Sequence, residues 1–77
     1  MARERAAEII RAHVAALIAE NERDVRWLAQ KADVEYYRLY RLMKGAQIDW
    51  HVIEVKNIAD VFGVPINALL TPLESVA

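Results

Sequence analysis

The 77-residue sequence contains no cysteine, only two glycines and two prolines, and a single serine and a single threonine. Without cysteine there is no disulfide framework and no thiolate metal site, and the two histidines, His13 and His51, are too few for a zinc site without carboxylates. One serine and one threonine offer no nucleophile arranged with a base. We therefore expect no enzyme, no metal or other cofactor, and no small-molecule ligand.

Long hydrophobic runs are also missing. The longest, Val14 to Ala19, is six residues, whereas a membrane-spanning helix needs about 20 and a signal peptide needs a longer apolar segment after a basic start. A chain of this length buries about 60% of its unfolded surface in one small core. The sequence therefore predicts a single domain, residues 1–77, with no membrane segment and a cytoplasmic location.

The residues that are present favour helices. The sequence is 56% hydrophobic and 27% charged, which is typical of a compact chain rather than a disordered one. Its net charge of −1 is unevenly distributed, because residues 23–48 carry six basic and three acidic side chains, a net charge of +3. Residues 1–22 and 49–77 carry −1 and −3. An anionic partner would meet the basic middle, although an ordinary solvated surface has the same appearance.

Hydrophobic periodicity and capping signals predict five helices and no strand. The expected ranges are about 3–21, 24–32, 35–44, 49–62 and 65–70, with a short tail at 71–77. Asp24 and Asp49 are predicted N-caps, and Gly45 and Gly63 are predicted to end the third and fourth helices. Asp33 should adopt, or approach, the left-handed conformation that a very short turn between the second and third helices requires.

The helical period also predicts which faces are buried. Inward positions are Leu39, Leu42 and Met43 in the third helix, and Val52, Val55, Ile58, Ala59 and Phe62 in the fourth. At 100° per residue, the opposite side of the third helix collects Tyr37, Tyr40, Arg41 and Lys44, with Tyr36 and Arg38 on its flanks. We therefore expect an outward face on the third helix that is both aromatic and basic.

Apolar residues and a glycine follow one another in a recognisable order around the predicted turn at Asp33. They are Leu28, Ala29, Val34, Leu39, Leu42 and Gly45. In this order residues 25–45 resemble the helix-turn-helix of the Cro and phage-repressor (XRE-type) family, and residues 58–70 are similar to that family's fourth and fifth helices. The resemblance covers roughly residues 14–70 and implies an all-α fold, a compact five-helix bundle with a helix-turn-helix, as in lambda-repressor-like DNA-binding domains.

The sequence departs from the family pattern at several positions. Val25 stands where many members have a glutamine that touches phosphate, and Asp33 replaces the glycine of the turn. Ile18 and Met43 stand where members often have an arginine and a glutamate that form a buried ion pair. Replacing a whole buried pair by apolar residues is often neutral, whereas losing one partner costs about 3–5 kcal/mol. We therefore expect Ile18 and Met43 to be buried and in, or close to, contact.

The resemblance also implies which side chains approach DNA. Base contacts would come from Tyr36, Tyr37, Tyr40 and Arg41, and phosphate contacts from Arg26, Arg38, Lys44 and Gln47. Arg41 can bond a guanine through its planar guanidinium, and a tyrosine can pack against a thymine methyl group, although aromatic rings are less usual base readers than Gln, Asn or Ser. Tyr36 lies near the boundary of the outward face, and the alternative interpretation is a core residue.

These implications predict a small, Cro-like transcriptional repressor that recognises a near-palindromic operator in double-stranded DNA as a weak homodimer. The predicted dimer contacts are Leu70, Leu73 and Val76, although Leu70, with its neighbour Leu69, is equally suited to the core. The alternative is a helix-turn-helix fold that serves as a protein-interaction module, with an antitoxin-like or anti-repressor partner. Tyrosine and arginine are favoured at protein interfaces, and a net negative chain is not an obvious DNA binder.

Overall fold

The computed structural model describes residues 2–46 and 48–72, and within these ranges the chain is all-helical. In the described part, five helices follow one another: α1 (Ala2–Glu20), α2 (Val25–Ala32), α3 (Tyr36–Met43), α4 (Val52–Phe62) and α5 (Ile66–Leu70). Helix α2 packs against α3 and α4, while α1 packs against α5. The expected all-α fold with five helices is confirmed. Over the same ranges, no helix combines the length and the hydrophobicity needed to cross a bilayer.

Each of the five helices contributes an apolar stripe to one core. The largest fully buried side chains are Val14, Leu28, Leu39, Leu42, Ile58 and Leu69. Burying a side chain of this size stabilises the fold by about 1.5–3 kcal/mol relative to leaving it exposed. Because α3 uses Leu39 and Leu42 to pack inward, the opposite side of this helix faces solvent.

The connection between α2 and α3 is as short as the sequence predicts. The Asp24 side chain caps α2 by accepting a 2.8 Å hydrogen bond from the Trp27 backbone N–H. At the other end Asp33 has φ 58° and ψ 44°, in the left-handed region, and the Val34 N–H donates to the Ala29 carbonyl at 2.9 Å. Only three residues therefore connect the two helices, and the left-handed conformation of Asp33 is confirmed.

Glycines with positive φ follow α3 and α4, as the sequence predicts. Gly45 has φ 87° and Gly63 has φ 68°. After α3, the Ala46 N–H donates to the Arg41 carbonyl at 3.0 Å, and after α4 the Val64 N–H donates to the Ala59 carbonyl at 3.0 Å. Bonds of this kind satisfy carbonyls that the helix end leaves without an intrahelical donor.

Helix α4 begins at Val52, so the prediction of a start at Asp49 with Asp49 as N-cap is wrong. His51 occupies the N-cap position, and its backbone N–H donates to the Glu54 carboxylate at 2.8 Å. The Asp49 carbonyl accepts a hydrogen bond from the Arg38 guanidinium on α3 at 2.7 Å. These two contacts hold residues 49–51 outside the helix.

Two predictions of burial also need correction. Val52 is 76% exposed rather than inward-facing, and Glu54 takes an inward position in the first turn of α4 with only 7% exposure. Ile18 and Met43 are half-buried against the core rather than fully buried. Met43 lies beside an open groove described below, which leaves part of its side chain in contact with solvent.

Candidate functional site

The outward side of α3 carries the group of residues that the sequence places there. We call this surface the α3 outer face, and it consists of Tyr37, Tyr40, Arg41 and Lys44. All four side chains are exposed, and at 100° per residue they lie within an arc of about 100° opposite Leu39 and Leu42. Tyr37 is the most exposed of the tyrosines, at 69%.

The tyrosines of α3 form a cluster that holds two cations. The ring of half-buried Tyr36 lies 5.3 Å from that of Tyr37 and 5.9 Å from that of Tyr40, between centroids. The Arg26 guanidinium lies over the Tyr36 ring at 4.4 Å, and the Lys44 ammonium lies over the Tyr40 ring at 5.4 Å. Cation–π contacts at exposed sites contribute about 0.5–1 kcal/mol each. The rings thus restrain both cations without burying either charge.

An open groove of about 470 Å³ separates the start of α2 from α3. Its walls are Asp24, Val25, Arg26, Tyr36, Tyr40, Met43 and Lys44. Arg26 and Lys44 bring two positive charges to the groove, and the Asp24 carboxylate is already engaged as the α2 cap. The groove therefore presents a net positive, partly aromatic concavity next to the α3 outer face.

Arg41 differs from the other basic residues of this region. Arg26 and Lys44 rest on aromatic rings, and Arg38 is bound in an ion pair. Among the described residues, Arg41 has no hydrogen-bond, ion-pair or ring partner. Its guanidinium is exposed and offers all five N–H donors to an external acceptor.

Arg38 turns away from the outer face and toward α4. Its Nε and Nη2 atoms donate to the two carboxylate oxygens of Glu54, with a distance of 2.9 Å from Nη2 to Oε1. Nη2 also donates to the Asp49 carbonyl at 2.7 Å. Only 25% of the Arg38 side chain and 10% of the Glu54 side chain are exposed. This bidentate pair joins the middle of α3 to the first turn of α4.

The environment of the pair favours its charged form. Burial by itself would raise the pKa of the Glu54 carboxyl, but hydrogen bonds from Arg38 and from the His51 N–H outweigh it and hold the pKa below its ordinary value of 4.5. The hydrogen bond to Glu54 in turn raises the pKa of Arg38 above its usual range. Both groups are therefore ionised at neutral pH.

The structure brings most of the predicted DNA-contacting residues together. Tyr37, Tyr40, Arg41 and Lys44 share one face. Tyr36 adjoins this face on the same helix, and Arg26 lies across the groove on α2. Arg38 is the exception, because its guanidinium is engaged by Glu54 and by Asp49. Gln47 lies outside the described residues.

Of the three predicted dimer contacts, only Leu70 lies in the described part of the chain. Leu70, at the end of α5, is 47% exposed, whereas its neighbour Leu69 is buried at 1%. From the sequence, either leucine could belong to the core or to a dimer contact. In the structure Leu69 belongs to the core and Leu70 is exposed. Leu73 and Val76 lie outside the described residues, so these two contacts stay predictions.

Sequence reasoning missed Glu54. Its position carries a signal, because Glu54 lies three residues after His51, at the spacing of a capping box, and four residues before buried Ile58 on the same helical stripe. An acidic residue on an inward stripe needs a cationic partner. That partner, Arg38, is sixteen residues away along the chain, and no local pattern identifies it.

Across the described ranges, no three His, Asp or Glu side chains gather into a group able to hold a metal ion. Comparison of the chain with protein-family models, with curated proteins and with solved structures finds no match. The functional interpretation therefore depends on the geometry of the α3 outer face.

Proposed function

We propose that this chain is a sequence-specific, double-stranded-DNA-binding protein in which α2 and α3 form a helix-turn-helix and α3 enters the major groove. The observation that carries the proposal is the α3 outer face, where Arg41, exposed and without a partner among the described residues, lies one helical turn from exposed Tyr37. The family resemblance of residues 14–70 points the same way. We further propose a Cro-like repressor role on a near-palindromic operator.

The dimensions of α3 suit a base-reading element. A helix with its side chains is about 10–12 Å wide, and the major groove of B-DNA is about 12 Å wide. Tyr37 and Arg41 are four residues apart, so their Cβ atoms are about 5–6 Å apart on one side of the helix. Arg41 would donate two hydrogen bonds to a guanine, and Tyr37 would pack against a thymine methyl group on a neighbouring base pair.

The flanking cations would contact the DNA backbone. Arg26 and Lys44 lie at the groove between α2 and α3, where each charge rests on a ring and has no carboxylate partner among the described residues. Phosphate contacts position a protein on the duplex without carrying sequence information. We do not include Arg38 among these contacts, because its Nε and Nη2 donors bind Glu54 and the Asp49 carbonyl within the molecule. The contact by Gln47 stays a prediction.

The salt dependence of binding separates the two kinds of contact. Affinity should fall steeply with salt, with a slope in log affinity against log salt of about −0.9 per neutralised phosphate. Arg26→Ala and Lys44→Ala should each reduce this slope and weaken binding to all duplexes alike. Arg41→Ala and Tyr37→Ala should cost about 1–3 kcal/mol on the preferred duplex and leave non-specific binding almost unchanged. Lys56→Ala, which removes the same charge from α4, is the matched control and should change neither quantity.

A different pattern would favour the protein-interaction alternative. If the parent chain binds no duplex at low salt, and Tyr37→Ala and Arg41→Ala instead weaken binding to a purified protein partner, the α3 outer face is a protein-docking surface. The exposed tyrosines and arginine suit that use chemically. The DNA-binding proposal would then be wrong.

A further inference from the structure

We propose that Arg38 and Glu54 form a positioning pair that sets the orientation of α3, and thereby the sequence discrimination of the α3 outer face. This inference rests on the proposed function. It assigns Arg38 a role through its neighbours on α3 rather than through a phosphate. The pair would affect the preference for particular base sequences and have little effect on the affinity for non-specific DNA.

The geometry of the pair constrains the rotation of α3 about its own axis. Arg38 follows Tyr37 directly and precedes Arg41 by one helical turn, so the three side chains leave the same short stretch of helix. The two guanidinium atoms Nε and Nη2 meet the two oxygens of one carboxylate. A bidentate contact of this kind fixes direction as well as distance. Any rotation of α3 that moved Tyr37 and Arg41 would break one of the two hydrogen bonds.

The partner of Arg38 is itself held in place. Glu54 accepts a hydrogen bond from the His51 N–H at 2.8 Å, so its carboxylate is attached to the start of α4. Arg38 also donates to the Asp49 carbonyl at 2.7 Å. The network therefore joins α3, the segment before α4 and the first turn of α4 into one unit. Its anchor, α4, packs against α2, and the Asn57 side chain donates to the Ala32 carbonyl at the end of α2.

Stability alone does not explain a charged pair in this position. A buried ion pair is often replaceable by packed apolar residues with no loss of stability, because the attraction only offsets the cost of removing both charges from water. Apolar contacts of the same volume lack the directional preference of a bidentate hydrogen bond. Base readout depends on side chains placed to within a fraction of an ångström. A directional contact next to the reading residues provides that placement.

The test compares discrimination with stability and with salt dependence. The probes are a duplex selected from a random pool by the parent protein and a scrambled duplex of the same length. Arg38→Met should lower the melting temperature, because it leaves the Glu54 carboxylate buried and unpaired. The double variant Arg38→Met/Glu54→Gln, which keeps an acceptor for the His51 N–H, should recover most of that stability. Lys56→Met/Asp60→Asn, which removes the exposed ion pair on α4, is the matched control.

We expect the ratio of affinities for the selected and scrambled duplexes to fall about tenfold in the double variant, while the salt slope stays that of the parent. The control pair should leave the ratio, the slope and the melting temperature unchanged. Arg38→Lys keeps the charge and loses the planar donor arrangement. It should also lower the ratio, and it supplies the same test if the double variant fails to fold.

Three results would overturn the inference, and each is distinct. If the folded double variant and Arg38→Lys both keep the affinity ratio of the parent, the pair has a purely structural role. An equal loss of affinity on both duplexes, with the slope reduced by about 0.9, would make Arg38 a phosphate ligand. A parent protein that selects no duplex would overturn the proposed function itself, and this inference with it.

Discussion

Asp33 and Glu22 are the two non-glycine residues with positive φ in the described part of the chain, at 58° and 55°. Asp33→Gly should leave the free energy of unfolding unchanged or slightly higher, because glycine adopts this conformation without strain. Asp33→Val should lower it by about 1–2 kcal/mol, because the left-handed region crowds a branched side chain. Urea unfolding of both variants checks this. A substantial loss of stability in Asp33→Gly would mean that the Asp33 side chain itself holds the turn together.

Met43 and its neighbour Leu42 differ in burial and should differ in energy. Leu42 is 2% exposed, so Leu42→Ala should cost about 2–5 kcal/mol. Met43 is half-buried and borders the open groove. A carboxylate at position 43 can therefore reach water, and Met43→Glu should cost less than Leu42→Ala. Thermal melts of the two variants make the comparison, and equal losses would place Met43 in a closed core.

The Arg38–Glu54 pair links two helices and makes stability depend on pH. Because the pKa of Glu54 lies below its ordinary value of 4.5 in the folded state, the pair stabilises the fold above that pH. This contribution disappears as the pH falls through the lowered pKa. Glu54→Gln should therefore be less stable than the parent at neutral pH, and the difference should shrink as the pH falls below 4.5, the ordinary pKa of a glutamate. Urea titrations across this range measure it. A constant difference would show that Glu54 stabilises the fold through something other than its charge.

Helix ends could be predicted from the sequence where the signal is local. Asp24 caps the start of α2 with its own side chain, and Gly63 ends α4 by adopting a left-handed backbone conformation. Both helix ends lie where the sequence predicts. The start of α4 could not be predicted in this way. It is decided by contacts of Glu54 and Asp49 with Arg38, which is eleven residues from Asp49 and sixteen from Glu54 along the chain. The helical period also places Val52 inward, but Val52 is the first residue of α4 and is 76% exposed.

The α3 outer face could be predicted because helical geometry alone determines which residues share a side. Which of its basic side chains are free to bind an external partner could not be predicted. Arg38, Arg41 and Lys44 are all basic residues of the same short segment. In the structure Arg38 pairs with Glu54 and Lys44 lies over the Tyr40 ring. Arg41 has no partner among the described residues. Arg38 pairs with a carboxylate on another helix, whereas Lys44 rests on a ring of its own helix, and helical periodicity does not predict either contact. In our proposal Arg38 is a positioning residue, Arg41 a base reader and Lys44 a phosphate ligand.

At the scale of the whole molecule, we predict that a homodimer forms through the end of α5. Leu70 is 47% exposed and Leu69 is 1% exposed. Leu70→Asp should therefore leave the melting temperature close to that of the parent and abolish a weak homodimer, and removal of residues 73–77 should act in the same direction. Leu69→Ala should instead destabilise the monomer by about 2–5 kcal/mol. Sedimentation, with and without a palindromic duplex, gives the readout. A parent that stays monomeric under both conditions would exclude this dimer.

The most direct measurement of the central claim is a selection of duplexes from a random pool by the purified protein, run in parallel with Arg41→Ala. Binding through the α3 outer face predicts that the parent enriches a near-palindrome with half-sites one helical turn apart, about 10–10.5 base pairs between centres. Arg41→Ala should lose the preference for guanine at one position of each half-site. A parent that enriches no sequence at low salt would contradict the claim, and so would an Arg41→Ala variant that enriches the same sequence equally well.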